Sequence, residues 1–143
     1  MVRRCRDRGT VLMLMPAAVL VLLMLGGIAF DYAHLFLAKR ELSSVAEAAA
    51  NDAVTHGVDQ ASVRRGDGFA LDAALVVDSV AASVADHSPD LHFIGDPQVE
   101  MLSPTEVRVT ITASIDYVFT RAVPGVAKAA TVTVTATADA RNA

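Results

Sequence analysis

"VLMLMPAAVLVLLMLGGIAF", Val11 to Phe30, is a run of twenty residues without a charge. At 1.5 Å of helix rise per residue it covers about 30 Å, the thickness of a bilayer's hydrocarbon core. Secretory signal cores are shorter, about 7–15 residues. The small residues Gly26, Gly27 and Ala29 imitate a signal cleavage site, but the helical pattern continues beyond them. The run therefore reads as a retained membrane anchor. Arg3, Arg4, Arg6 and Arg8 precede it, and Asp31 follows it at once. The nearest bases on the far side are Lys39 and Arg40. The positive-inside rule then predicts a cytoplasmic N-terminus and an outward-facing remainder. Pro16 removes one backbone donor early in the span and predicts a kink there, which membrane helices tolerate.

The helix is predicted to continue past the membrane surface. Asp31 to Val54 contains neither Pro nor Gly. Leu35, Ala38, Leu42, Val45, Ala46, Ala49 and Ala53 recur on one face at helical spacing. Alanine, which dominates the second half, has the highest helix propensity. Gly57 is the expected stop. The division is then a basic cytoplasmic leader over 1–9, one helix over 10–56, and a small extracytoplasmic α+β domain over 57–143. The helix crosses the membrane at 11–30 and continues outside over 31–56. A helix with a greasy first half and an amphipathic second half is the physical design of a pilin.

Residues 58–68 are polar and end in Gly-Asp-Gly, so they read as loop with at most a turn. Phe69 to Asp86 reads as a second amphipathic helix with Asp67 as N-cap. Its predicted buried stripe is Ala70, Ala74, Val77, Ala81 and Val84, with Leu71 alongside. After Pro89 the period changes from 3.6 to 2. Strands are expected near 97–102, 105–119 and 130–139, with "VPGV", 123–126, connecting the last two. Val109, Ile111, Ile115, Val132 and Val134 should face the core, and the alternating Thr and Arg residues should face solvent. The fold class is α+β, pilin-like: a long N-terminal helix, a second helix and a small antiparallel meander.

Charge narrows the function. Residues 1–9 carry four arginines against Asp7, while residues 31–143 carry 15 acids against eight bases. An acidic outer part offers no face for phosphate charge and argues against nucleic acid as a partner. Cys5 is the only cysteine, so an internal disulfide and a Cys-based zinc site are excluded. Cys5 lies in a basic stretch next to the span, but no lipobox surrounds it, and it reads as an idle cytoplasmic thiol rather than a lipidation site. His87 and His92 sit near Asp86, Asp90 and Asp96 without zinc-hydrolase spacing. They read as a helix end and a solvated loop. No nucleophile elbow, phosphate loop or catalytic triad order is present. The expectation is a non-enzymatic protein with no catalytic, cofactor or metal site.

The N-terminal half resembles a known family. Gly9 after a basic leader, Pro16 within the span, Asp31 at its outer end, then Phe36, Arg40, Leu42 and the Ala48–Ala50 run occupy a recognisable pattern. It is similar to the N-terminal module of the TadE/TadG-like proteins of the tight-adherence (Flp) pilus. The resemblance implies a minor pilin, a pseudopilin or a membrane-bound assembly factor of a type IV-related machine. Its implied partners are the membrane, other pilus assembly proteins or pilins, and a prepilin peptidase cutting between Gly9 and Thr10. Processed family members carry Glu at the fifth position after the cut. Here Leu14 stands there, which leans towards the TadG-like side and leaves both a cut and an uncut chain open.

Two features of the helix have paired readings. Asp31 could pair with a partner helix or sit as a solvated interfacial charge. Ala46, Ala50 and Ala53 could form a close-packing surface for neighbouring subunits or pack on the chain's own sheet. An outward-facing binding module unrelated to any filament is the alternative to the pilus reading.

Overall fold

A single helix, α1 (Arg8–His56), dominates the molecule and contains Pro16. The computed structural model describes residues 8–66, 70–87 and 91–141. From Leu14 onward α1 is long and apolar enough to cross a membrane, and little of its apolar window is buried within the protein. A core helix of a soluble protein would bury that surface. Here Leu14, Leu22, Leu23 and Leu25 are all exposed.

The character of α1 changes after Asp31. Leu42, Val45, Ala46, Ala49, Ala50, Ala53 and Val54 are buried and form one side of the core. The helix ends against Gly57, whose amide donates to Ala53 O at 2.9 Å. A Cβ on Gly57 would collide with Ala53 O and stand 2.5 Å from Val76 Cγ2. Glycine is needed here because the Ala53 carbonyl and the Val76 side chain, which lies on a later helix, leave no room for a Cβ.

A short helix, α2 (Gln60–Arg65), follows. Asp59 caps it by accepting from the Ala61 and Ser62 amides at 2.8 and 3.2 Å. Gly66 closes it in the left-handed conformation, φ 81°.

The next helix, α3 (Ala73–His87), starts four residues later than its periodicity predicts. Leu71 forms a bridge with Val58, and its amide donates to Pro104 O at 2.9 Å. This tertiary pairing holds residues 70–72 out of the helix. The cap is therefore Asp72, whose Oδ1 accepts from the Ala74 and Leu75 amides. Asp67 and Phe69 lie outside the described residues. The buried stripe also differs: Val76, Val80 and Val84 face the core, whereas Ala74, Val77 and Ala81 are exposed. Both faces of α3 are apolar, and the face with three aligned valines buries more area than the alanine-rich one.

The sheet is antiparallel and four-stranded. The strands are β1 (His92–Phe93), β2 (Gln98–Ser103), β3 (Glu106–Asp116) and β4 (Ala129–Asp139). Central β3 pairs with β4 along its whole length, from Glu106↔Asp139 to Asp116↔Ala129. Its other edge takes β2 and, further along, the short β1, which the sequence pattern did not predict. Val107, Val109, Ile111, Ala113 and Ile115 are buried on one face, with Val134 buried and Val132 half-buried beside them. The opposite face carries hydroxyl pairs, Thr110 with Thr135 at 3.1 Å and Thr112 with Thr133 at 3.0 Å. Arg108 meets Glu100 there at 3.2 Å.

The direction of β3 sets up the site. Its start lies near the far end of α1, where Leu71 bonds Pro104. Its end returns to Asp31. From Asp31 to Val54, α1 rises about 35 Å, and the eleven residues of β3 extend over a similar distance. The β3–β4 connection, residues 117–128, is thereby delivered to the C-terminal end of the apolar span.

Candidate functional site

Asp31 is the first residue beyond the uncharged run, and it is buried, with 3% of its surface exposed. Its carboxylate is filled from within the chain. Oδ1 accepts from the backbone amides of Val118 and Phe119 at 2.8 and 2.9 Å. Oδ2 accepts from the Thr120 amide at 2.7 Å and from the Thr120 hydroxyl. Three consecutive amides thus converge on one side chain that is 87 to 89 residues away in sequence.

The convergence has a local cause. β3 stops at Asp116, three residues earlier than strict alternation predicts. The chain then turns through a short 3-10 helix, Thr120–Ala122. The first amides of such a turn have no partner within it. An acid placed at its N-terminal end satisfies them and favours the dipole. Pro124 and Gly125, with Gly125 at φ 83°, make the following turn. Tyr117 N donates to Lys128 O at 2.9 Å and closes the base of the loop.

Apolar contacts reinforce the carboxylate. The Phe30 and Phe119 rings meet edge to face, centroids 5.3 Å apart and planes at 77°. Gly27, one turn before Asp31, is buried under Phe119, and a Cβ there would stand 3.3 Å from Phe119 Cβ and Cγ. Gly26 faces open space. Gly27, Phe30 and Asp31 therefore form a three-point latch on the β3–β4 loop.

Burial raises the pKa of Asp31, and the Thr120 hydroxyl and the Phe119, Thr120 and Val118 amides outweigh it, lowering the value to about 2. The latch is thus held by an ionised acceptor at neutral pH. This carboxylate is engaged inside its own chain, by three backbone amides and one hydroxyl.

The family comparison falls on the same helix. Residues 9–56 match the family model described as "Putative Flp pilus-assembly TadE/G-like". The matched segment is about a third of the chain and ends with α1 itself. It contains Asp31, Gly27 and Phe30, the helix side of the latch. The loop side lies outside it. No curated protein and no solved structure matches the chain.

The other singled-out positions do not join the latch. Gly9 and Thr10 lie in the first turn of α1. Ala46, Ala50 and Ala53 are buried, in the core that α1 shares with α3 and the sheet. Among the described residues, no three His, Cys, Asp or Glu side chains gather as a metal site would require. Asp52, His56 and Asp86 line a shallow groove between α1 and α3, where Ser83 Oγ donates to Asp52 at 2.6 Å.

Proposed function

We propose that this protein is a non-enzymatic, single-pass component of a Tad/Flp-type pilus assembly system, acting as a minor pilin or a membrane-retained assembly factor. The observation that carries the reading is the coincidence of the TadE/G-like match with α1. From Leu14 to Phe30 that helix exposes apolar side chains, while its second half forms one side of the core of a folded domain. Residues 11–30 cross the bacterial inner membrane with the N-terminus inside, as the arginines before Gly9 favour. The domain then stands outside, within reach of pilins and other assembly proteins. Its role is contact rather than chemistry, and the energy for assembly comes from an ATPase elsewhere in the machine.

Deletion of the gene, complemented by the full chain, tests this reading. Pili are expected to be lost or shortened and then restored. Normal pili after deletion would leave an outward binding module without a filament. Gly9→Ala separates the two roles. An unchanged chain size with normal pili fits a retained factor, and a longer chain with no pili fits a processed minor pilin.

A further inference from the structure

We propose that the β3–β4 loop is a second membrane contact, entering the lipid interface beside α1 at its outer end. The inference rests on the membrane-spanning reading of residues 11–30. The loop is fixed at a definite depth, because Phe119 packs on Gly27 and Phe30, residues inside the uncharged run. Gly27 lies four residues before Asp31, about 6 Å along the helix. Whatever depth the end of α1 occupies, Phe119 shares.

The loop is built to sit there. Val118, Phe119, Val123 and Val126 are between 45% and 52% exposed among the described residues. Residues 117–128, "YVFTRAVPGVAK", contain no acid and two bases, Lys128 and Arg121, the latter paired with Asp116 at 3.6 Å. That acid-free, largely apolar composition sets the loop apart from the rest of the outer domain, which is acidic. Five of the seven aromatic residues, Phe30, Tyr32, Phe36, Tyr117 and Phe119, lie within a few residues of the latch. Of these, Tyr32 and Tyr117 are of the amphipathic kind that gathers at the level of lipid headgroups. The exposed apolar surface of α1 also runs past Asp31 through Tyr32, Phe36 and Leu37.

Irregular backbone is costly near hydrocarbon unless its polar groups are satisfied. Asp31 satisfies three amides and a hydroxyl of this loop at once. The same bonds neutralise the cost of an acid at the membrane boundary. The occupant of the exposed apolar patch is therefore lipid, since the patch continues the lipid-facing surface of α1.

The chain contains no tryptophan, so a single introduced one is a clean reporter. Val123→Trp, Leu22→Trp and Thr137→Trp, each in the full chain, are reconstituted into equal mixtures of phosphatidylcholine and phosphatidylglycerol. The lipids carry bromines at shallow or deep acyl positions. The expected result is several-fold stronger quenching at position 123 than at 137, greatest with shallow bromines, and strongest deep quenching at position 22. Adding Asp31→Asn to Val123→Trp should weaken quenching at 123 alone. If 22 is quenched and 123 behaves like 137, the loop does not enter lipid and the proposal falls while the span stands. A blue-shifted but unquenched Trp at 123 would mean burial against another protein copy, which also overturns it. An unquenched Trp at 22 would remove the span and the loop contact together.

Discussion

Asp31 and Thr120 are joined twice, through the amide at 2.7 Å and through the hydroxyl, and this pair ties the end of the apolar span to the tip of the sheet. The domain is therefore not a bead on a flexible stalk. α1 enters its core at one end and is clasped by the β3–β4 loop at the other. The apolar half of α1 is thereby bonded to the turn that joins β3 to β4.

Asp31→Asn should open the latch without unfolding the domain. Asparagine keeps one acceptor oxygen and replaces the other with an amide donor. With the nitrogen on the Oδ2 side, the Thr120 amide bond is lost and a donor is turned towards that amide, while the Thr120 hydroxyl can only reverse its bond and accept. Hydrogen exchange at Val118, Phe119 and Thr120 should accelerate, while Val109 and Ile111 stay protected. Unchanged exchange at the three loop amides would falsify the latch.

The latch should also respond to acid in a defined direction. The folded pKa of Asp31 is lowered to about 2, below its ordinary 3.8. A depressed carboxyl contributes stability that is fully present above the unfolded value and is lost as pH falls through the folded one. The window is thus from about 4 down to about 2. Amide chemical shifts of Val118, Phe119 and Thr120 should titrate together with a midpoint near the lower end. A midpoint at or above the ordinary value of 3.8 would mean that the four bonds do not hold the charge.

Much of the fold could be read from period and punctuation. The α1 stripe from Leu42 to Ala53 was legible because small and large apolar residues alternate with charges at helical spacing. The β3 face was legible because Val107 to Ile115 alternate with polar residues without a break. The start of α3 was not legible, because its first turn gives way to a bridge with Val58, which no local pattern encodes. Nor was its buried face, because Val76 and Val77 are equal in hydrophobicity and only packing separates them. Asp31 stood out as an acid at the end of an uncharged run. Its partners did not, because three backbone amides 87 to 89 residues away leave no side-chain signature. The absence of any acid in 117–128 was the one trace available.

Val76 and Val77 test the orientation of α3. Val76 is fully buried and Val77 is 51% exposed. Val76→Ala removes two methyl equivalents and leaves a cavity, and should destabilise the domain by about 1.5–3 kcal/mol. Val77→Ala should fall within about 0.5 kcal/mol of wild type. Denaturant unfolding followed by circular dichroism measures both, and equal effects would mean that α3 is rotated from the orientation described.

Gly26 and Gly27 provide a paired test on adjacent residues. Both carry the same intrinsic gain in helix propensity on replacement by alanine, about 1 kcal/mol. They differ only in what the new methyl group meets. At Gly26 it meets nothing within 4 Å, so Gly26→Ala should leave the latch intact. At Gly27 it stands 3.3 Å from two atoms of the Phe119 side chain, which must shift to admit it. A larger side chain cannot be admitted at all, so Gly27→Val should drive Phe119 off α1. In detergent micelles, the Phe30–Phe119 ring contact can be followed by nuclear Overhauser effects between the two rings. The contact should persist in Gly26→Ala and Gly26→Val, weaken in Gly27→Ala and vanish in Gly27→Val. Exchange at the Thr120 amide should follow the same order, because Phe119 and the Asp31 bonds hold the same turn. Loss of the ring contact in the Gly26 variants as well would show that the apolar half of α1, rather than its fit to Phe119, governs the loop.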